Sequence, residues 1–102
     1  MDKYERESTI KAEITFKVSG SNTDPYDNSV NVNVIRPNDT YMYSGATATR
    51  LDTGEYRYFI SSNTSDMLGI YTIVWKAEHD VGGTQGLMPL VQRDYFQLVM
   101  YD

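Results

Sequence analysis

A chain of 102 residues without cysteine has room for one core, and that core must hold with no disulfide, no thiolate metal site and no cysteine nucleophile. Fourteen acidic against nine basic residues, scattered along the chain, give a net charge of −5. A diffuse negative field without a Lys/Arg cluster argues against nucleic acid and anionic membranes as partners.

The opening stretch, Met1-Asp2-Lys3-Tyr4-Glu5-Arg6-Glu7, is charged and leads into no apolar run. It reads as neither a secretory signal nor a membrane span, but as a flexible lead-in over 1–8 before one domain over 9–102. Over 9–18, Ile10, Ala12, Ile14, Phe16 and Val18 share one face while Lys11, Glu13, Thr15 and Lys17 share the other, which predicts a half-buried strand. Residues 19–28 carry Gly, Ser, Asn, Asp and Pro and read as a connection. Val30, Val32 and Val34 then alternate with polar residues to give a second strand, closed by the turn Arg36-Pro37-Asn38-Asp39.

A short strand is expected over 40–44, a bend at Gly45, and a further strand over 46–51. The turn Asp52-Thr53-Gly54 opens a strand over 55–60 with Tyr56, Tyr58 and Ile60 on one face. Residues 61–68 read as a polar crossing between sheets. After it, Tyr71, Ile73, Trp75 and Ala77 are in phase, and Ile70, Thr72 and Val74 on the opposite face predict a strand covered on both sides. Residues 79–92, with Gly82, Gly83 and Gly86, read as a long loop, and a last strand over 94–101 points Phe96, Leu98 and Met100 inward.

Seven short strands with turn signals about every ten residues predict an all-β, Ig-like or fibronectin-like sandwich. The step Gly69-Ile70-Tyr71 reads as a tyrosine corner, the Tyr71 phenol bonding back to nearby backbone, and Gly54-Glu55-Tyr56 reads as a second step of the same kind. The expected core is Tyr71, Ile73, Trp75, Tyr56, Phe16 and Phe96.

Chemistry is sparse. His79 is the only histidine and has no Ser, Cys or second His near it in sequence to complete a catalytic or metal set. Asp24, Asp27, Asp52, Asp66 and Asp80 fall in turns, where aspartate bonds its own backbone, and the calcium-loop spacing is missing. No catalytic residue, metal or cofactor is read from the chain. The run Leu87-Met88-Pro89-Leu90-Val91 holds more apolar surface than a solvated loop needs. Either it folds back to plug one end of the domain or it presents a patch to a partner, and both readings stand. Tyr41, Tyr43, Tyr58, Tyr95 and Tyr101 cannot all be core, which makes Tyr41 and Tyr43 further contact candidates beside Leu87, Met88, Leu90 and Val91.

The order of a Gly-x-Tyr strand, a polar crossing, Leu-Gly-Ile-Tyr-Thr-Ile-Val-Trp-Lys-Ala (68–77), a variable segment and Arg-Asp-Tyr-Phe-Gln-Leu (93–98) resembles the small Ig-like β-sandwich structural proteins of tailed bacteriophages. That resemblance spans about residues 9 to 100. It implies a non-enzymatic virion component of decoration, head-to-tail joining or tail-associated type, made in the host cytoplasm. Its partners would be other virion proteins or further copies of itself in a multi-copy or homo-oligomeric assembly. The alternative is a carbohydrate-binding or adhesion module of a bacterial surface or secreted protein, with exposed tyrosines as sugar platforms.

Overall fold

The period-2 patterns become strands, in chain order β1 (Asp2–Glu5), β2 (Thr9–Thr15), β3 (Lys17–Val18), β4 (Ser21–Asn22), β5 (Asn31–Ile35), β6 (Tyr41–Thr47), β7 (Thr49–Asp52), β8 (Glu55–Ser61), β9 (Gly69–Gly82) and β10 (Gly86–Val99). The computed structural model describes residues 2–63, 65–82 and 86–100, so Tyr101 lies outside the described residues. The fold is all-β. A five-stranded sheet runs β1-β10-β9-β5-β6, a three-stranded sheet runs β2-β8-β7, and β3 and β4 form a small hairpin of their own. Where about seven strands in a single sandwich were expected, the described residues form ten strands in three sheets, none of them closed.

Burial explains the layering. In β2 every second residue is buried, so Ile10, Ala12 and Ile14 turn inward while Thr9, Lys11, Glu13 and Thr15 stay exposed. These meet Tyr56 and Ile60 of β8, Val32 and Val34 of β5, Tyr71, Ile73 and Trp75 of β9 and Phe96 and Leu98 of β10 in one cluster between the two larger sheets. Phe16, Tyr56, Tyr71, Ile73, Trp75 and Phe96 are all buried. At roughly 25 cal/mol per Å² of apolar surface, this continuous layer is the main favourable term of folding. Rings fix its ends: Tyr71 stacks on Phe96 with centroids 5.0 Å apart, and Phe16 meets Tyr56 edge-on at 5.9 Å.

The segment expected as a flexible lead-in contributes a strand. β1 pairs in parallel with the end of β10, from Asp2↔Phe96 to Glu5↔Val99, and the Tyr4 ring meets Phe96 edge-on at 6.2 Å. The backbone ladder to β10 and the half-buried Tyr4 ring together dock an otherwise charged segment. The expected long loop over 79–92 is no loop either: β9 and β10 are 14 residues each and stay paired as far as Gly86↔Gly82. Three smaller expectations also change. Met100 lies beyond the end of β10 and is exposed rather than inward. Val18 is exposed because the chain leaves β2 for the β3–β4 hairpin. The outer face of β9 carries no covering layer at Ile70, which is exposed, although Val74 is buried between its lateral neighbours Asn33 and Arg93.

The two Gly-x-Tyr steps are not equivalent. The Tyr71 hydroxyl donates to the Met67 carbonyl four residues upstream at 2.6 Å, the geometry of a tyrosine corner where the chain crosses from β8 to β9. Tyr56 instead donates to the side chain of Asp24, 3.1 Å away. Tyr71→Phe removes one local hydrogen bond and keeps the buried ring. It should lower stability by about 1 kcal/mol with the fold intact. An unchanged urea midpoint would show that the hydroxyl contributes nothing to the crossing.

Candidate interaction surface

The pairing of β5 with β9 ends at Asn31↔Lys76, and β1 meets β10 only from Phe96 onward. Beyond those limits β9 and β10 pair only with each other, as a two-stranded arm. The arm stretches the molecule to 55 × 24 × 19 Å, with a radius of gyration of 15.2 Å. A compact chain of this length would have about 13 Å.

The apolar run sits on this arm, and strand geometry splits it between two faces. Leu90 lies opposite Ala77 and Met88 opposite His79, continuing the inward face of Trp75, whereas Leu87 and Val91 lie opposite Asp80 and Lys76 on the outer face. Leu90 packs against the core; Leu87, Met88 and Val91 remain 40%, 48% and 51% exposed. The sequence offered plug or patch for the whole run. The register assigns the first to Leu90 and leaves the other three at the surface.

Beneath the arm, a cleft of about 170 Å³ lies between His79 and Leu90 on one side and Phe16, Val18, Asp24 and Pro25 on the other. Its wall is held by an Asp24 clamp. One carboxylate oxygen accepts from Arg50 Nε at 3.0 Å, from the Gly54 N–H at 2.9 Å and from the Tyr56 hydroxyl at 3.1 Å, while the other accepts from Arg50 Nη2 at 2.8 Å. The hydrogen bonds from Arg50, and next from Gly54, hold the Asp24 carboxyl well below the usual carboxylate range. Burial first, and then the Asp24 carboxylate, push the Tyr56 hydroxyl up. Of the turn aspartates, Asp24 is thus a clamp joining the segment before the Tyr26–Asn28 helical turn to the β7–β8 turn. Among the described residues no three His, Cys, Asp or Glu side chains gather where they would hold a metal ion.

The tyrosine candidates separate in the same way. Tyr41 is exposed on the edge strand β6, whereas Tyr43 packs edge-on against Tyr58, centroids 5.5 Å apart, and ties β6 to β8. Sequence reasoning passed over Tyr26, an exposed ring beside a cleft of about 250 Å³ lined by Asp27, Asn31 and Glu78. Its position after Pro25 in a polar connection carried no periodic signal. No helix among the described residues is long and apolar enough to cross a membrane. No protein-family model, curated protein or solved structure matches the chain.

Proposed function

We propose that this protein is a non-enzymatic structural component of a tailed-bacteriophage virion, built as an Ig-like sandwich and held to a protein partner through the β9–β10 arm. The observation that carries the reading is the arm itself, whose β9–β10 pairing runs on past the last β5 and β1 partners and leaves Leu87 and Met88, with Val91 at its base, exposed to water. Apolar side chains on a projecting ribbon lower the free energy only when something covers them. The strand order supports the Ig-like part. β2-β8-β7 facing β10-β9-β5-β6 corresponds to a B-E-D sheet facing G-F-C-C′, with the tyrosine corner at the entry to the F-like strand β9. Two departures are plain: the tryptophan stands on β9 rather than on the C-like strand β5, and no cysteine pair joins the sheets.

Capsid, portal or tail genes flanking this gene, and the chain itself in purified particles, are the expected findings. Met88→Ser with Val91→Ser should remove the chain from particles while leaving its stability, measured by urea denaturation, within about 1 kcal/mol of the wild type, because both positions are exposed. Retention of the double variant in particles would sink the arm as the contact, and a multidomain secreted precursor would sink the virion reading. The second reading, a carbohydrate-binding module, has the Tyr26 cleft in its favour, where an exposed ring stands beside carboxylate and amide groups.

A further inference from the structure

Every sheet edge is a template for another strand, and protein edges ordinarily carry a guard against it. Most edges of this molecule do. Pro89 removes a donor from the open side of β10, and the Asp94 carboxylate accepts the N–H of Tyr95 at 2.8 Å. The register of β6 is broken twice along β5, and β7 is four residues long with a register shift of its own. β1 is four residues long and lies parallel to its neighbour.

β2 is different. It pairs with β8 without a register shift from Thr9↔Ser61 to Thr15↔Glu55, contains neither Pro nor Gly, and among the described residues no strand lies on its other side. The bonds that flank the ladder fix which groups face outward. Ser62 N–H donates to the Ser8 carbonyl and Phe16 N–H to the Gly54 carbonyl, so the even residues of β2 bond to β8. The N–H and C=O groups of Thr9, Lys11, Glu13 and Thr15 therefore point to the open edge. A cleft of about 180 Å³, lined by Lys11, Glu13, Asp2 and Asp94 among others, runs along the same flank.

The sequence of this strand, Thr-Ile-Lys-Ala-Glu-Ile-Thr, is its own complement about Ala12. When a second copy of β2 lies antiparallel to the first, with Ala12 opposite Ala12, Thr9 faces Thr15, Ile10 faces Ile14, and Lys11 faces Glu13 in both directions. The outward backbone groups of the odd residues then pair throughout, and each exposed lysine, which already meets Glu13 of its own strand at 3.2 Å, gains a second carboxylate directly across the new strand pair. A shift of two residues to either side loses both Lys–Glu pairs at once and sets Glu13 against Glu13 or Lys11 against Lys11. From this self-complementarity we infer that β2 is a two-fold interface through which a second copy of this chain joins, turning two three-stranded sheets into one continuous six-stranded sheet, β7-β8-β2-β2-β8-β7.

The inference goes beyond the virion reading and does not use the arm. Ile10 and Ile14 are already buried in the monomer, so pairing adds little apolar burial. A seven-residue edge is also short beside the roughly 20–30 residues a side that stable complexes bury. The dimer is therefore weak, and its specificity lies in the register rather than in the area.

Charge exchange tests the register directly. The full chain should show a concentration-dependent dimer in sedimentation velocity. Lys11→Glu sets carboxylate against carboxylate at both cross-strand pairs, and Glu13→Lys sets ammonium against ammonium. Each variant alone should dimerise about tenfold more weakly or worse. An equimolar mixture of the two should recover the wild-type association, because every pair is then of opposite sign. A buried-Trp75 emission spectrum in all samples confirms that the variants fold. A wild type that stays monomeric to its solubility limit would overturn the inference, as would variants that dimerise like the wild type or a mixture that recovers nothing. Association that survives these exchanges and disappears in Met88→Ser with Val91→Ser belongs to the arm and overturns it as well.

Discussion

Trp75→Ala should lower the stability of the folded chain by about 3 to 5 kcal/mol. The indole is 1% exposed at the middle of β9, between Val32 of β5 and Gln92 of β10 in the sheet, and it belongs to the cluster that joins both larger sheets. Truncation removes the transfer free energy of a large ring and leaves a cavity that the neighbouring strands cannot close, since β5 is paired with β6 as well as with β9 and β10 is tied to β9 along its whole length. No disulfide limits the loss. Against a total stability of about 5 to 15 kcal/mol for a domain, this loss is a large share of the whole. Urea denaturation followed by far-UV circular dichroism measures this, because the variant has no tryptophan left to report. A loss below about 1 kcal/mol would mean that the ring is not a central part of the core.

Such a core position was readable from sequence because its signal is local. Ile10 to Ile14 alternate with charged residues, Tyr71 bonds four residues upstream, and Trp75 keeps phase with Tyr71 and Ile73; each pattern fits within one strand and one turn. Alternation survives in sequence when one face is buried and the other is wet. The arm breaks that condition. Both of its faces meet water in part, so Leu87 to Val91 lose their alternation, and Gly82, Gly86 and Pro89 look like breakers although they lie within 14-residue strands. β1 was missed for another reason: its partner is at the far end of the chain, and only Tyr4 hints that the segment docks. The Asp24 clamp was hidden likewise, since its partners Arg50, Gly54 and Tyr56 stand 26, 30 and 32 residues away. The charge-swapped palindrome of β2 was present in the sequence throughout. Its meaning depends on which edge the fold leaves open.

The other large effect is expected at Gly54, where Gly54→Ala should cost about 3 kcal/mol or more. Its φ of +73° alone penalises a side chain, and an added Cβ would stand 2.7 Å from the Phe16 carbonyl oxygen and 2.8 Å from the Thr23 nitrogen. Both neighbours are backbone, so no side chain can rotate away. Both also belong to a chain of hydrogen bonds in which Phe16 N–H donates to the Gly54 carbonyl at 2.8 Å and Thr23 N–H to the Phe16 carbonyl at 2.9 Å. Making room for the methyl group must stretch these bonds and draw the Gly54 N–H away from Asp24. Gly20→Ala is the internal control. Its φ is +83° with nothing within 4 Å of an added Cβ, so it should cost only the left-handed penalty of roughly 1–2 kcal/mol. Equal losses for the two variants, measured by urea midpoint, would show that the Gly54 junction yields without strain. A larger loss at Gly54 would tie the fold to the arm, because Phe16, Thr23 and Asp24 also wall the cleft beneath Leu90. The same methyl group should then reshape that cleft, and amide resonances of His79 and Leu90 should shift in Gly54→Ala but not in Gly20→Ala.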